Sequence, residues 1–194
     1  MTTIRQQKVN EAVRRDELIG RAVMTEWLTW KYEGTGRDLH IVGTPLKCSV
    51  DLKCDLLDRD LQNRKKTNIE VKVRHKNQRQ VDSYPHGELK IGKYDRMRAA
   101  TEEGTGLFYA VFLDNEDTNR QTLYLWDMDK VNWDNVGQFD WVTKKCEKDP
   151  ESETIVTPTY QIPFTQAVVK EDVTDIFNAY IDESTWQQYS DRRS

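Results

Sequence analysis

Ser49-Val50-Asp51-Leu52-Lys53-Cys54-Asp55-Leu56-Leu57-Asp58 and Ile69-Glu70-Val71-Lys72-Val73-Arg74 decide how this chain is built. In the first stretch Val50, Leu52, Cys54 and Leu56 alternate with Asp51, Lys53, Asp55 and Leu57. In the second, Ile69, Val71 and Val73 alternate with Glu70, Lys72 and Arg74. A period of two is that of a strand with one face in the core. The segment between them, Arg59 to Asn68, is short and polar, so the two strands are expected to pair as an antiparallel hairpin. Glu70 and Lys72 then project to one side, and Asp51 and Asp55 share one face of the neighbouring strand.

Upstream, residues 5 to about 32 read as one long helix. Ile19, Ala22, Val23, Trp27 and Trp30 recur at the three- and four-residue spacing of a buried stripe. Gly34 and Gly36 end it, and Leu39 to Val42 is a short strand closed by Gly43-Thr44-Pro45. Downstream, His75 to Gly87 reads as a polar loop. Leu89 to Glu103 reads as a helix with Ile91, Tyr94, Met97 and Ala100 near one side. Leu107 to Leu113 is a continuous apolar run, as in a strand buried on both faces, and Thr122 to Met128 is its partner. Val131 to Pro150 reads as irregular, Thr159 to Phe164 as a late strand, and Val173 to Tyr180 as a short helix or turn.

With 194 residues and no internal repeat or low-complexity linker, the chain is expected to be one domain. No apolar run approaches the length of a membrane span, and the first residues lack a secretory signal, so a cytoplasmic location without a membrane partner is expected. Three cysteines, Cys48, Cys54 and Cys146, are too few and too scattered for a disulfide framework or a structural zinc site. The net charge of -4 does not advertise a nucleic-acid binder. Its distribution says more. Lys53 to Lys93 holds eleven Lys and Arg against six Asp and Glu, while the rest of the chain is acidic. That stretch suits either an ordinary solvated hairpin or local phosphate binding that weakens with salt.

A carboxylate at 55 facing one at 70 across a hairpin makes a pair of hard oxygen donors. Mg²⁺ needs only one or two protein carboxylates because it keeps much of its water. Asp51 is a rival on the same face; Asp55 is preferred because it lies nearer Glu70 across the turn. Lys72 beside them is placed to orient or deprotonate a water, or to stabilise the charge of a pentavalent phosphorus. Glu26 is a third carboxylate, on the apolar stripe of the first helix, read either as a helix-edge residue or as a metal ligand. Arg74, Lys76 and Arg79 suit neutralisation of phosphates rather than base reading. His40, His75 and His86 are not at ligand spacing from one another; they read as surface or loop residues, with His75 within reach of a phosphate. Trp126, Trp133, Trp141 and Trp186 read as packing residues. Loops for nucleotide phosphates, zinc-protease helices and serine-hydrolase elbows are absent, and no organic cofactor is expected.

The order of a long helix with an inward Glu, a strand with Asp55, a turn, a strand reading Ile69-Glu70-Val71-Lys72-Val73-Arg74 and a further helix resembles the PD-(D/E)XK nuclease superfamily. Leu89-Lys90-Ile91-Gly92-Lys93-Tyr94-Asp95 looks like the start of the helix that follows the motif in small phage and bacterial members, with Lys93 facing the site. The resemblance implies an α/β, restriction-endonuclease-like αβββαβ core over about residues 15–128, with a mixed central sheet flanked by helices. A C-terminal extension over about 129–194 would cover the sheet or form a homodimer contact. It also implies a Mg²⁺-dependent (Mn²⁺ substituting) DNA endonuclease or exonuclease. Asp55 and Glu70 would hold metal, Glu26 would match the helix glutamate used by some members, and Lys72 would assist the water. No Pro precedes Asp55. Two other readings stand beside it: an inactive nuclease fold that binds nucleic acid or protein, and an unrelated α/β interaction protein in which Glu70 and Lys72 are a solvated ion pair.

Overall fold

The computed structural model describes residues 4–45, 48–58, 64–144 and 154–181. Helix α1 (Ile4–Tyr32) leads into strands β1 (Arg37–Gly43), β2 (Leu52–Asp58) and β3 (Arg64–Lys76). Then follow α2 (Gln78–Ser83), β4 (His86–Lys90) and α3 (Ile91–Ala99). Strands β5 (Gly106–Asn115) and β6 (Arg120–Asp127) come next, then β7 (Gly137–Lys144), β8 (Thr154–Pro163), β9 (Val169–Asp172) and α4 (Thr174–Ile181). The fold is α/β. Its main sheet is mixed and six-stranded, in the order β1-β2-β3-β5-β6-β9, and a second sheet has the order β4-β8-β7. The β1-β2-β3 meander is antiparallel, whereas β5 runs parallel to β3, reached through α2, β4 and α3.

Alternation on β3 divides the core. Ile69, Val71 and Val73 join Ile19, Val23 and Trp27 of α1, Phe112 of β5 and Phe177 of α4 in one cluster. Leu89, Met97, Tyr109, Trp126 and Ile162 form the cluster on the other side, under α3 and the second sheet. Each fully buried Val or Ile contributes roughly 1.5–3 kcal/mol, enough to fix which face of β3 looks inward. Gly20 sets how closely α1 approaches: a Cβ there would stand 3.0 Å from Val71 Cγ1 and 3.1 Å from Val73 Cγ2.

Several expectations change. The loop after His75 contains α2, capped by Asn77 and Gln80 in a capping box. The segment from Leu89 divides: Leu89 and Lys90 are the last residues of β4 in the second sheet, and the helix starts only at Ile91. Gly137–Lys144, read as irregular, is a strand because β8 lies beside it over its full length. Trp30 is 59% exposed, so the buried stripe of α1 ends at Leu28. Trp141 is 47% exposed; Trp186 and Cys146 lie outside the described residues. Of the described chain beyond 129, β9 forms the edge of the main sheet and α4 packs against α1. Among the described residues no helix is long and apolar enough to cross a membrane.

Candidate functional site

The register of the hairpin chooses the acidic partner of Glu70. Leu52 pairs with Ile69, and the Asp51 N–H donates to the Ile69 carbonyl at 2.9 Å. Asp51, just before β2, therefore lies beside Glu70. Its Oδ2 accepts the Val71 N–H at 2.8 Å, and its Oδ1 accepts Arg21 Nη2 at 2.5 Å. Asp55 pairs instead with Lys66 in the ladder and is held by Arg64 at 2.5 Å. Lys66 and Glu70 are four residues apart on β3, roughly 13 Å at the rise of a strand, so Asp55 does not share a cation with Glu70. The preference for Asp55 is thus corrected to Asp51. Glu26 is corrected as well: it is exposed on α1 and accepts the Tyr180 hydroxyl at 3.3 Å, away from Asp51 and Glu70.

Around Asp51 and Glu70 the fold gathers three cations. Lys72 Nζ lies 2.6 Å from Glu70 Oε1, 3.7 Å from Asp51 Oδ2 and 3.0 Å from the Val71 carbonyl, to which it donates. Lys93, at the start of α3, reaches Glu70 Oε2 at 2.9 Å and donates to the Cys48 carbonyl at 3.1 Å. Arg21 on α1 joins Glu17 at 2.8 Å, Asp51, and the Thr44 carbonyl at 2.5 Å. Arg21, Asp51 and Glu70 are 1%, 2% and 0% exposed, so each carries a full desolvation cost that only its partners offset. Arg21 and Glu17 escaped the sequence reading. The available signal was an Arg beside Leu18, Ile19, Ala22 and Val23 on a buried helix face.

The two carboxylates are pushed apart. Burial raises the Glu70 carboxyl, Lys72 only partly offsets that, and neighbouring Asp51 adds to it. Burial also pushes Asp51 up, but Lys72, the Val71 N–H and Arg21 outweigh it and hold Asp51 below the usual carboxylate range. Lys72 and Lys93 meet Glu70 at ion-pair distance but off the line of a hydrogen bond, so neither of its oxygens accepts one. A buried carboxylate held by ammonium groups, a second carboxylate beside it and a carbonyl aimed at the same place form a hard-oxygen donor set that fits Mg²⁺. Among the described residues no group of three or more His, Cys, Asp and Glu is arranged to hold a metal, so such an ion would keep most of its water.

Of the four basic residues considered for nucleic acid, Lys93 enters the cluster itself. Arg74 and Lys76 continue the face of β3 that carries Glu70 and Lys72, Arg74 half-buried and Lys76 3.6 Å from Glu88. Arg79 is exposed on α2, whose first residue, Gln78, contacts Asn115 and Asp117 at the β5–β6 turn. His75 is on the opposite face of β3 and lies between Asp16 at 3.2 Å and Asp114 at 2.8 Å. Compared with known proteins, the chain matches no family's sequence model and no curated sequence.

Proposed function

We propose that this chain is a divalent-metal-dependent nuclease that hydrolyses DNA phosphodiester bonds at a PD-(D/E)XK-type site, with Asp51 in place of the expected Asp55. The observation that carries this reading is the convergence of Glu70, Asp51 and Lys72 at one point, where the residue before β2 lies against β3, with Glu70 fully buried and met by the ammonium groups of Lys72 and Lys93. The chain order α1-β1-β2-β3-α2-β4-α3-β5, with β5 parallel to β3, supports the αβββαβ core that the resemblance implies, with α2 and β4 inserted before its second helix.

Asp51, Glu70 and the Val71 carbonyl would hold Mg²⁺, or Mn²⁺ in its place. Such an ion polarises a phosphoryl oxygen and lowers the pKa of a bound water. Arg21 and the Val71 N–H fix the orientation of Asp51. Lys93 restrains the far oxygen of Glu70. Lys72 is 31% exposed, and its ammonium would orient the attacking water and offset the charge growing on phosphorus. Arg74 and Lys76, further along the same face, are placed to neutralise the flanking phosphates.

One observation favours a second reading, a nuclease fold that only binds nucleic acid or protein: the three carboxylates Glu17, Asp51 and Glu70 already face three cations. A cleavage screen with Mg²⁺ and Mn²⁺ over linear, circular, branched and single-stranded DNA separates the two. Cleavage lost in Glu70→Gln and Lys72→Ala is expected. Absence of cleavage on every substrate, or cleavage indifferent to Glu70→Gln, would remove the nuclease reading.

A further inference from the structure

We propose that the Lys72 ammonium occupies the cation seat of the metal-free protein, so that a divalent ion enters by exchange with it rather than by addition. This rests on the metal-site reading above. Three oxygens surround Lys72 Nζ: Glu70 Oε1 at 2.6 Å, the Val71 carbonyl at 3.0 Å and Asp51 Oδ2 at 3.7 Å. They are the same three donors that would hold Mg²⁺. A dication and an ammonium within a few ångströms of each other in so dry a place repel strongly, so one seat takes one of them.

Of the three cations in the cluster, Lys72 is the one free to leave. Arg21 is 1% exposed and fixed by Glu17, Asp51 and Thr44. Lys93 is 18% exposed and anchored to the Cys48 carbonyl as well as to Glu70. Lys72 is 31% exposed, sits on a flexible four-carbon stem and, among the described residues, pairs with the oxygens of the seat. Its departure keeps the cluster's charge from rising by the full charge of the incoming ion. Lys72 thus regulates occupancy of the site: it stabilises the empty form and lowers affinity for the metal.

Calorimetric titration of the full chain with Mn²⁺ tests this in wild type, Lys72→Met, Lys93→Met and Glu70→Gln, each checked for folding by thermal melt. Lys72→Gln replaces Lys72→Met if the latter fails to fold. Lys93→Met removes an ammonium from Glu70 without emptying the seat, and so controls for the loss of one positive charge beside that carboxylate. Seat occupancy predicts binding at least tenfold tighter in Lys72→Met and clearly less gain in Lys93→Met. In wild type, acetylation of Lys72 followed by mass spectrometry should speed up when Mg²⁺ is added. Wild-type binding that Lys72→Met leaves equal or weaker, or that both lysine variants tighten alike, overturns the exchange and leaves the metal site standing. No Mn²⁺ binding in wild type or in Lys72→Met overturns both. Binding in Lys72→Met alone supports the exchange.

Discussion

Asp51 Oδ2 accepts the backbone N–H of Val71 at 2.8 Å, which ties the carboxylate before β2 to the residue between Glu70 and Lys72. On an extended strand the N–H and C=O of one residue face the same neighbour. The same bond that orients Asp51 therefore turns the Val71 carbonyl toward Lys72 Nζ. The backbone, not a side-chain motif alone, brings the candidate site together.

Asp51→Asn and Asp55→Asn are expected to differ sharply. An amide at 51 carries no charge for Arg21 and cannot accept from Arg21 and Val71 with both of its atoms, which leaves the buried guanidinium without its carboxylate at a cost of about 3–5 kcal/mol. Asp51→Asn should therefore lower stability to urea by that order and abolish Mn²⁺ binding. Asp55 lies in a solvent-exposed pair with Arg64, worth little by its nature. Asp55→Asn should leave the urea midpoint and metal binding unchanged; loss of binding there would restore Asp55 to the site.

The hairpin was legible in the sequence, but its register was not. A slip of four residues, which would put Asp55 opposite Glu70, keeps Leu52, Cys54, Ile69, Val71 and Val73 on the same face, so alternation cannot choose between the two pairings. Interactions from elsewhere choose. Arg21 comes from a helix thirty residues upstream, and its partner Asp51 is recognised only once α1 lies across β3. The absence of a side chain at Gly20 allows that approach. Glu26 misled for a related reason: spacing counted Trp30 into the stripe, and with Trp30 in solvent the stripe no longer includes position 26. Strand β7 was hidden because its partner β8 comes after an intervening segment of the chain, and neither strand announces that pairing locally.

His75 links α1 to β5 as a cation. The hydrogen bond to Asp16, against the opposing effect of burial and with the help of Asp114, pushes its pKa up to about 9. A histidine raised in the folded state contributes stability that is fully present below its unfolded value of 6.5 and is lost as pH rises through about 9. Because the ring is 42% exposed, solvent screening reduces the contribution to about 1 kcal/mol. His75→Asn should be less stable than wild type by that amount at pH 6, and the two should converge by about pH 10. Urea denaturation at pH 6, 8 and 10 measures the difference. A gap that stays constant across that range would show that the ring acts by packing rather than by charge.

Gly87 on β4 lies against Trp126. A Cβ there would stand 2.7 Å from Cη2 of an indole that is fully buried, stacks 5.7 Å from Tyr109 and donates to the Pro163 carbonyl at 3.0 Å. The ring has no room to retreat, so Gly87→Ala should cost about 1–3 kcal/mol by overpacking. The near-ultraviolet circular dichroism of the aromatic cluster should change with it. A neutral substitution would mean that β4 shifts freely against the main sheet.

The pairing of Arg21 with Asp51 can be separated from the fold by a double-mutant cycle. Arg21→Met strands Asp51 without its guanidinium, and Asp51→Asn strands Arg21 without its carboxylate; breaking a buried pair from one side costs about 3–5 kcal/mol. Removing both leaves neither charge alone in the interior. The double variant should therefore lose less than the sum of the two singles, with a coupling of about 2 kcal/mol, in the range measured for residues in contact. Glu17 remains in both backgrounds and keeps the cycle from closing completely, since Arg21 also holds it at 2.8 Å. Urea unfolding of the four proteins at pH 7 gives the coupling directly. Additive losses would mean that Arg21 is held by Thr44 and Glu17 alone, and the orientation of Asp51 would then rest on the Val71 N–H.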